Sequence, residues 1–138
     1  SYSTTMRTIN KVALAVIQDK KILMARSRKN KAVFYTLGGK VEANESDIEC
    51  LVREVKEEIG VEINIDSLIF LGSFQASAHD KIDTIIKIKL YTGSLLGVPK
   101  PSGEVEEIAF FDSTIDKKHL TDLTERVFTF LKDKNYIA

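Results

Sequence analysis

The stretch from Gly38 to Val61, GGKVEANESDIECLVREVKEEIGV, limits what this chain can fold into more than any other. Ser46 followed three residues later by Glu49 is a capping-box pattern, so a helix is expected to begin at about Asp47. Ile48, Leu51, Val52, Val55 and Ile59 recur at helical spacing and form one apolar stripe. Gly60 stands where a left-handed C-terminal cap belongs, with Val61 able to fold back on Val55. The stretch therefore predicts a loop followed by an amphipathic helix of about three to four turns.

The end of that helix breaks two local rules. Glu54, Glu57 and Glu58 lie at i, i+3 and i+4, a spacing at which like charges repel. Glu57 and Glu58 also fall in the last turn, where the helix dipole disfavours anions. Glu49 and Arg53 form a well-oriented i, i+4 pair, but one arginine cannot neutralise three carboxylates. Such a conflict is expected at a functional site. Three oxygen donors on one rigid face suit a hard divalent cation such as Mg²⁺ or Mn²⁺. The competing reading is a solvated acidic face, and it leaves the preceding loop unexplained.

The loop supplies the rest of the pattern. Gly39, five residues, Glu45, seven residues, then Arg53-Glu54-Val55, one residue, Glu57-Glu58, one residue and Gly60-Val61 match the signature G-x5-E-x7-R-E-U-x-E-E-x-G-U, with U aliphatic. The chain thereby resembles the Nudix hydrolases, MutT-like members among them. That resemblance implies an α/β Nudix fold, a mixed β-sheet sandwiched between α-helices. It implies hydrolysis of a nucleoside diphosphate linked to another group, with Mg²⁺ as cofactor and Mn²⁺ as a substitute. Glu54, Glu57 and Glu58 match the family's metal ligands, and Arg53 matches the arginine that orients them. Glu45 is expected to stabilise the loop or to reach a metal through water. Gly38 and Gly39 allow close backbone approach, so the Gly39 carbonyl is a candidate fourth donor. Leu37 departs from the proline that many members carry before the two glycines. Family members place the general base either in the box or on a later loop. Glu104, just after Pro101-Ser102-Gly103, is the later candidate, with Glu106 and Glu107 as competitors and a plain surface carboxylate as the alternative for each.

The 138 residues suit one domain, residues 1–138, with Ser1 to Thr5 read as a frayed end or an added segment. Twenty basic and twenty acidic residues cancel, which argues against an extended nucleic-acid or membrane surface. A single cysteine, Cys50, excludes an internal disulfide and fits a reducing compartment. It falls off the apolar stripe and reads as incidental. No apolar run is long enough to span a bilayer and no secretory signal is visible, so a cytoplasmic protein is expected.

In chain order, Lys11 to Gln18 reads as a buried strand, and Asp19-Lys20-Lys21 as the turn of a hairpin returning through Ile22 to Ala25. Arg26, Arg28, Lys29 and Lys31 make a basic segment, either a solvated loop or a phosphate-facing one. Ala32 to Leu37 is the strand entering the box, with Phe34 and Tyr35 on opposite faces, one for the core and the other a candidate to stack on a base. Lys40 is either a phosphate contact or an exposed loop lysine. Glu62 to Ile65, Leu68 to Phe74, Asp83 to Thr92 and Glu104 to Asp112 read as strands. Gln75 to Lys81, with His79, reads as a polar loop, and Gly93 to Gly103 as another. His79 and His119 are expected to be merely exposed. Asp122 with Glu125 suggests a second capping box, opening a helix that buries Leu123, Val127, Phe128 and Leu131.

The expected partner is a small-molecule nucleotide, with monomer and homodimer both open. The compact chain favours a nucleoside triphosphate cleaved to monophosphate and pyrophosphate. Arg26, Arg28 and Lys40 would then meet phosphates, and Phe34 or Tyr35 the base. ADP-ribose or another nucleotide sugar or dinucleotide is the alternative substrate. A catalytically silent nucleotide- or protein-binding module is the alternative of another class.

Overall fold

The computed structural model describes residues 6–78 and 81–138. His79 and Ser1 to Thr5 lie outside the described residues. The elements run β1 (Arg7–Ala15), β2 (Ile17–Gln18), β3 (Lys21–Ser27), β4 (Tyr35–Lys40), α1 (Asp47–Ile59), β5 (Glu62–Ile63), β6 (Ile69–Ser77), β7 (Thr84–Thr92), β8 (Leu95–Leu96), β9 (Val105–Phe111) and α2 (Asp122–Asp133), with short 3₁₀ turns at Ile65–Ser67 and Lys117–His119.

The main sheet runs β2-β3-β4-β1-β7-β6, and β9 pairs with β3. Met24 of β3 pairs with both Thr36 of β4 and Ala109 of β9, so β9 lies on the opposite edge of β3 from β4. The sheet is mixed: β1 runs parallel to β7 and antiparallel to β4. Period-two alternation then splits the core in two. Val12 and Leu14 of β1, with Leu23 and Ala25 of β3, face α1 and its buried Cys50, Leu51, Val55 and Ile59. Ala13 and Ala15, with Ile22 and Met24, face α2 and its buried Val127, Phe128 and Leu131. This is the expected sheet between helices. Each fully buried Val, Leu, Ile or Met side chain among these contributes on the order of 1.5–3 kcal/mol. The turn between β2 and β3 has positive φ at both Asp19 and Lys20, the type I′ geometry that matches strand twist.

Several boundaries differ from expectation. Gln75 to Ser77 continue β6, paired with Lys87 to Ile85, because the ladder with β7 carries on past Phe74. Gly93 to Gly103 holds the short strand β8, which pairs with β5. The N-cap of α2 is Thr121, not Asp122; its hydroxyl accepts from the Thr124 N–H. Ile48, expected on the apolar stripe of α1, is exposed, and Cys50, expected off it, is fully buried.

Candidate active site

The helix α1 is fixed at both ends as its sequence dictates. Ser46 accepts from the Glu49 N–H at 3.1 Å, Glu49 accepts from the Ser46 N–H at 2.9 Å, and Gly60 closes the helix at φ 74°. Glu49 is thus consumed by its own cap and does not pair with Arg53. Arg53 instead grips Glu45 with two nitrogens, at 2.7 and 2.9 Å, and reaches Glu54 at 2.6 Å. A weaker contact to Glu57 stands at 3.8 Å. Arg53 also donates to the Lys40 carbonyl at 3.3 Å, so one guanidinium ties the loop to the acidic face. The planar fork suits this multidentate role in a way lysine does not. Glu45, which also accepts from the Glu42 N–H at 3.0 Å, acts as a loop stabiliser here. The Arg53 hydrogen bonds hold its carboxyl down to about 2.

The glutamates of α1 sit in unlike surroundings. Glu58 is largely enclosed and accepts from the Gly38 N–H at 2.9 Å. Burial pushes its carboxyl up to about 8, and the charges of Glu54 and Glu57 add to that, while the Gly38 N–H opposes it. Glu54 is raised too, by burial first and against the pull of Arg53. Glu57 is mostly exposed. Gly39 makes room for this arrangement: a Cβ there would lie 2.6 Å from the Glu54 carboxylate carbon, a distance at which something must move. Cys50 is not incidental. Its thiol lies 3.3 Å from the Lys40 carbonyl and 3.7 Å from that of Gly39, donating into the loop backbone. Its helix position alone carried no sign of this, because the loop folds over it from outside the helix.

Of the two aromatics entering the loop, Phe34 belongs to the core. It is 5% exposed, packs edge-on against Phe111 at 4.7 Å and sits under the Arg26 guanidinium. Tyr35 is half-buried at the site. Its hydroxyl is pushed up to about 12 by burial first, then by the charges of Glu58, Glu54 and Glu104. The Glu104 charge thus acts on the same hydroxyl as those of the helix glutamates. The basic residues do not converge with them. Arg26 pairs with Glu107, Lys29 with Glu104 at 3.5 Å and Lys31 with Glu106 at 3.2 Å. Arg28 donates to the Gly103 carbonyl at 2.8 Å. The Lys40 side chain is exposed. His119 is half-buried against Phe34, with 6.1 Å between ring centres.

Among the described residues, no three His, Cys, Asp or Glu side chains converge closely enough to hold a metal ion. Glu54 is drawn to Arg53 and Glu58 to Gly38. The donor set nevertheless suits a hard divalent cation: the Glu54, Glu57 and Glu58 carboxylates and the nearby Gly39 carbonyl are all oxygen donors. Two of those carboxyls are disfavoured as anions where they stand, a penalty that a bound cation relieves.

A cleft of about 910 Å³ opens beside the two glycines, between the sheet and the start of α2. Lys11, Asn30, Tyr35, Ser77, Thr121 and Arg126 contribute to its walls. Asn30, Ser77 and Arg126 carried no sequence signal, because only the sheet register and the docking of α2 bring them together.

The family comparison agrees with this geometry. The NUDIX domain matches residues 8–130, and the chain belongs to that family. It is a hydrolase of the family, MutT-like in fold. An ADP-ribose pyrophosphatase of Methanocaldococcus jannaschii is 31% identical over 120 residues, covering 86% of this chain and 70% of that one. A CTP pyrophosphohydrolase of Escherichia coli is 37% identical over 80 residues, 56% of this chain and 58% of its own length. The solution structure of the E. coli ORF135 protein superposes with a TM-score of 0.76 at 24% identity, covering 93% of this chain and 91% of that one. Among the described residues no helix is long and apolar enough to cross a membrane.

Proposed function

We propose that the protein is a Mg²⁺-dependent pyrophosphohydrolase that cleaves a nucleoside diphosphate linked to another group. The observation that carries this reading is the acidic face of α1, tied to β4 by the Gly38 N–H bond to Glu58 and the Arg53 bond to the Lys40 carbonyl, with Gly38 and Gly39 themselves lining a cleft large enough for a nucleotide. Glu54, Glu57, Glu58 and the Gly39 carbonyl would hold the cation, which when bound neutralises the phosphates and acidifies the attacking water. Arg53 orients Glu54 and keeps the loop closed on the helix. Glu104 is the proposed general base, since it follows the turn whose Ser102 N–H is bonded to the Glu58 carbonyl at the end of α1, and its pairing with Lys29, at 3.5 Å, is looser than those of Glu106 with Lys31 and Glu107 with Arg26. The cleft walls would take the nucleoside, with Tyr35 and Lys11 among its lining residues and Phe34 in the core.

For the linked group, the first reading is the remaining phosphates of a nucleoside triphosphate, released as pyrophosphate with a nucleoside monophosphate; the CTP-hydrolysing relative supports it. The second is ribose phosphate, favoured by the ADP-ribose pyrophosphatase that aligns over most of the chain. Both use the same attack at phosphorus. Incubation with nucleoside triphosphates, ADP-ribose, dinucleotides and nucleotide sugars in Mg²⁺, with products identified, separates them. Monophosphate and pyrophosphate from a triphosphate support the first; faster cleavage of ADP-ribose to AMP and ribose phosphate overturns it and keeps the chemistry. Binding without turnover of any compound would leave only the binding-module alternative.

A further inference from the structure

Arg28 is exposed on the segment between β3 and β4, where a phosphate contact was one expectation. Its hydrogen bonds point elsewhere. The guanidinium donates to the Gly103 carbonyl at 2.8 Å, and the Arg28 N–H donates to the Glu104 carbonyl at 3.0 Å. The turn so held is itself seated on the C-terminal end of α1. The Ser102 N–H donates to the Glu58 carbonyl at 3.0 Å, and the Lys100 N–H to the Ile59 carbonyl at 3.1 Å. These are carbonyls that a helix leaves without partners inside itself. Gly103 is at φ 56°, and a Cβ there would come 3.0 Å from the Glu57 carbonyl oxygen, so the turn lies hard against the helix. The Val105 N–H donates back to the Ser102 carbonyl at 3.0 Å and closes the turn on itself. Lys29 adds a loose pair to the Glu104 side chain at 3.5 Å.

We propose that Arg28 is a positioning residue that clamps the Lys100–Glu104 turn onto the end of the glutamate helix, setting where Glu104 stands relative to Glu58. The inference rests on the function proposed above for the role it gives Glu104. A group offered as general base works only if held within a fraction of an ångström of its productive place. The exposed Glu104 side chain has no packing of its own to hold it; its backbone does, through Arg28 on one side and the α1 carbonyls on the other.

Positioning and phosphate binding leave different kinetic traces. For Arg28→Ala, at least about a tenfold loss of kcat is expected with KM for the nucleotide within about twofold, and Arg28→Lys should restore part of it. Amide exchange at Ser102 and Val105 should quicken by about tenfold or more in Arg28→Ala, with core amides unchanged. In a Glu104→Gln background, Arg28→Ala should add little further loss, because both act through one group. A severalfold rise in KM with kcat intact, an additive loss in the double variant, or unchanged exchange at Ser102 and Val105 would each overturn the proposal. If the unaltered protein hydrolyses none of the compounds above, the function proposed for it fails, and the exchange measurement still decides whether the clamp exists.

Discussion

The ladder between β3 and β9 and the cluster on α1 are made of the same residue types in different proportions. The ladder and the segments that flank it set Arg26, Lys29 and Lys31 against Glu107, Glu104 and Glu106, one for one and near the surface. The cluster sets the single Arg53 against Glu45, Glu54 and Glu57, with Glu58 enclosed behind them. In the ladder every charge has a partner and water screens what remains, so little free energy is at stake. In the cluster the surplus of carboxylates is held together by burial, a guanidinium and a backbone N–H, and the excess negative charge is left for a ligand to meet. Balance marks the Arg26–Glu107 and Lys31–Glu106 pairs as fold and imbalance marks the cluster as site; Glu104, mostly exposed and loosely paired, stands between the two.

The comparison breaks most visibly at the helix glutamates. Glu57→Gln and Glu58→Gln should each lower turnover by at least about 10²-fold, the size expected on removing a preorganised charged element. Circular dichroism should show an unchanged fold. Apo stability should hold or rise, since repulsion on the face is relieved. Unchanged rates in both variants would show that the surplus charge serves no chemistry.

Metal dependence is the next test. Excess chelator should abolish turnover, and saturating Mg²⁺ should raise the melting temperature, by about 2.7 kcal/mol of stabilisation at a hundredfold excess over Kd. Full activity in chelator would sink the cation reading. Arg53→Lys keeps the charge but loses the fork, and should cost about tenfold or more in kcat; wild-type kinetics there would mean the grip on Glu45 and Glu54 is ornamental.

Acid should expose the loop stabiliser. Glu45 has a folded-state pKa below its ordinary value, so its contribution is full above about 4.5, the unfolded value, and is lost as pH falls from there toward about 2. Glu45→Gln should therefore melt lower than the unaltered protein at pH 7, with the gap closing through that window; a gap that stays constant would exclude the ionised carboxylate as its source. The smallest effect is expected in the ladder: Lys31→Ala should change stability by no more than about 0.5 kcal/mol. A loss of several times that in denaturant melts would mean the ladder is more than a screened surface pairing.

What could be read in advance was local. Ser46, Glu49 and Gly60 announce both ends of α1 because capping depends on neighbours within one turn. The strict spacing of Gly39, Glu45, Arg53 and the glutamates is legible for the same reason. Arg53's partners were not, because Glu49 looks like a partner until its own cap is counted, and Glu45 arrives only when the loop folds back. Alternation put Phe34 and Tyr35 on opposite faces, but which face held the site depended on where α1 and β9 docked. The basic segment looked free because its acidic partners lie some eighty positions away along the chain, and the register of β3 with β9 that joins them leaves no periodic mark.

The parallel pairing of β1 with β7 also orders the protein's birth. Arg7 meets Thr84 and Ala15 meets Thr92, so the strand made first at the centre of the sheet waits for one made much later. On a ribosome, β1 can gather β3, β4 and the glutamate helix while its other edge stays unzipped. A nascent chain stalled before residue 84 would present that edge, with Val12 to Ala15 beside it, to any neighbouring extended chain. Truncations ending there should aggregate, whereas chains extended past Thr92 can close this edge, and those that also carry β9 and α2 cover the second core and should stay in solution.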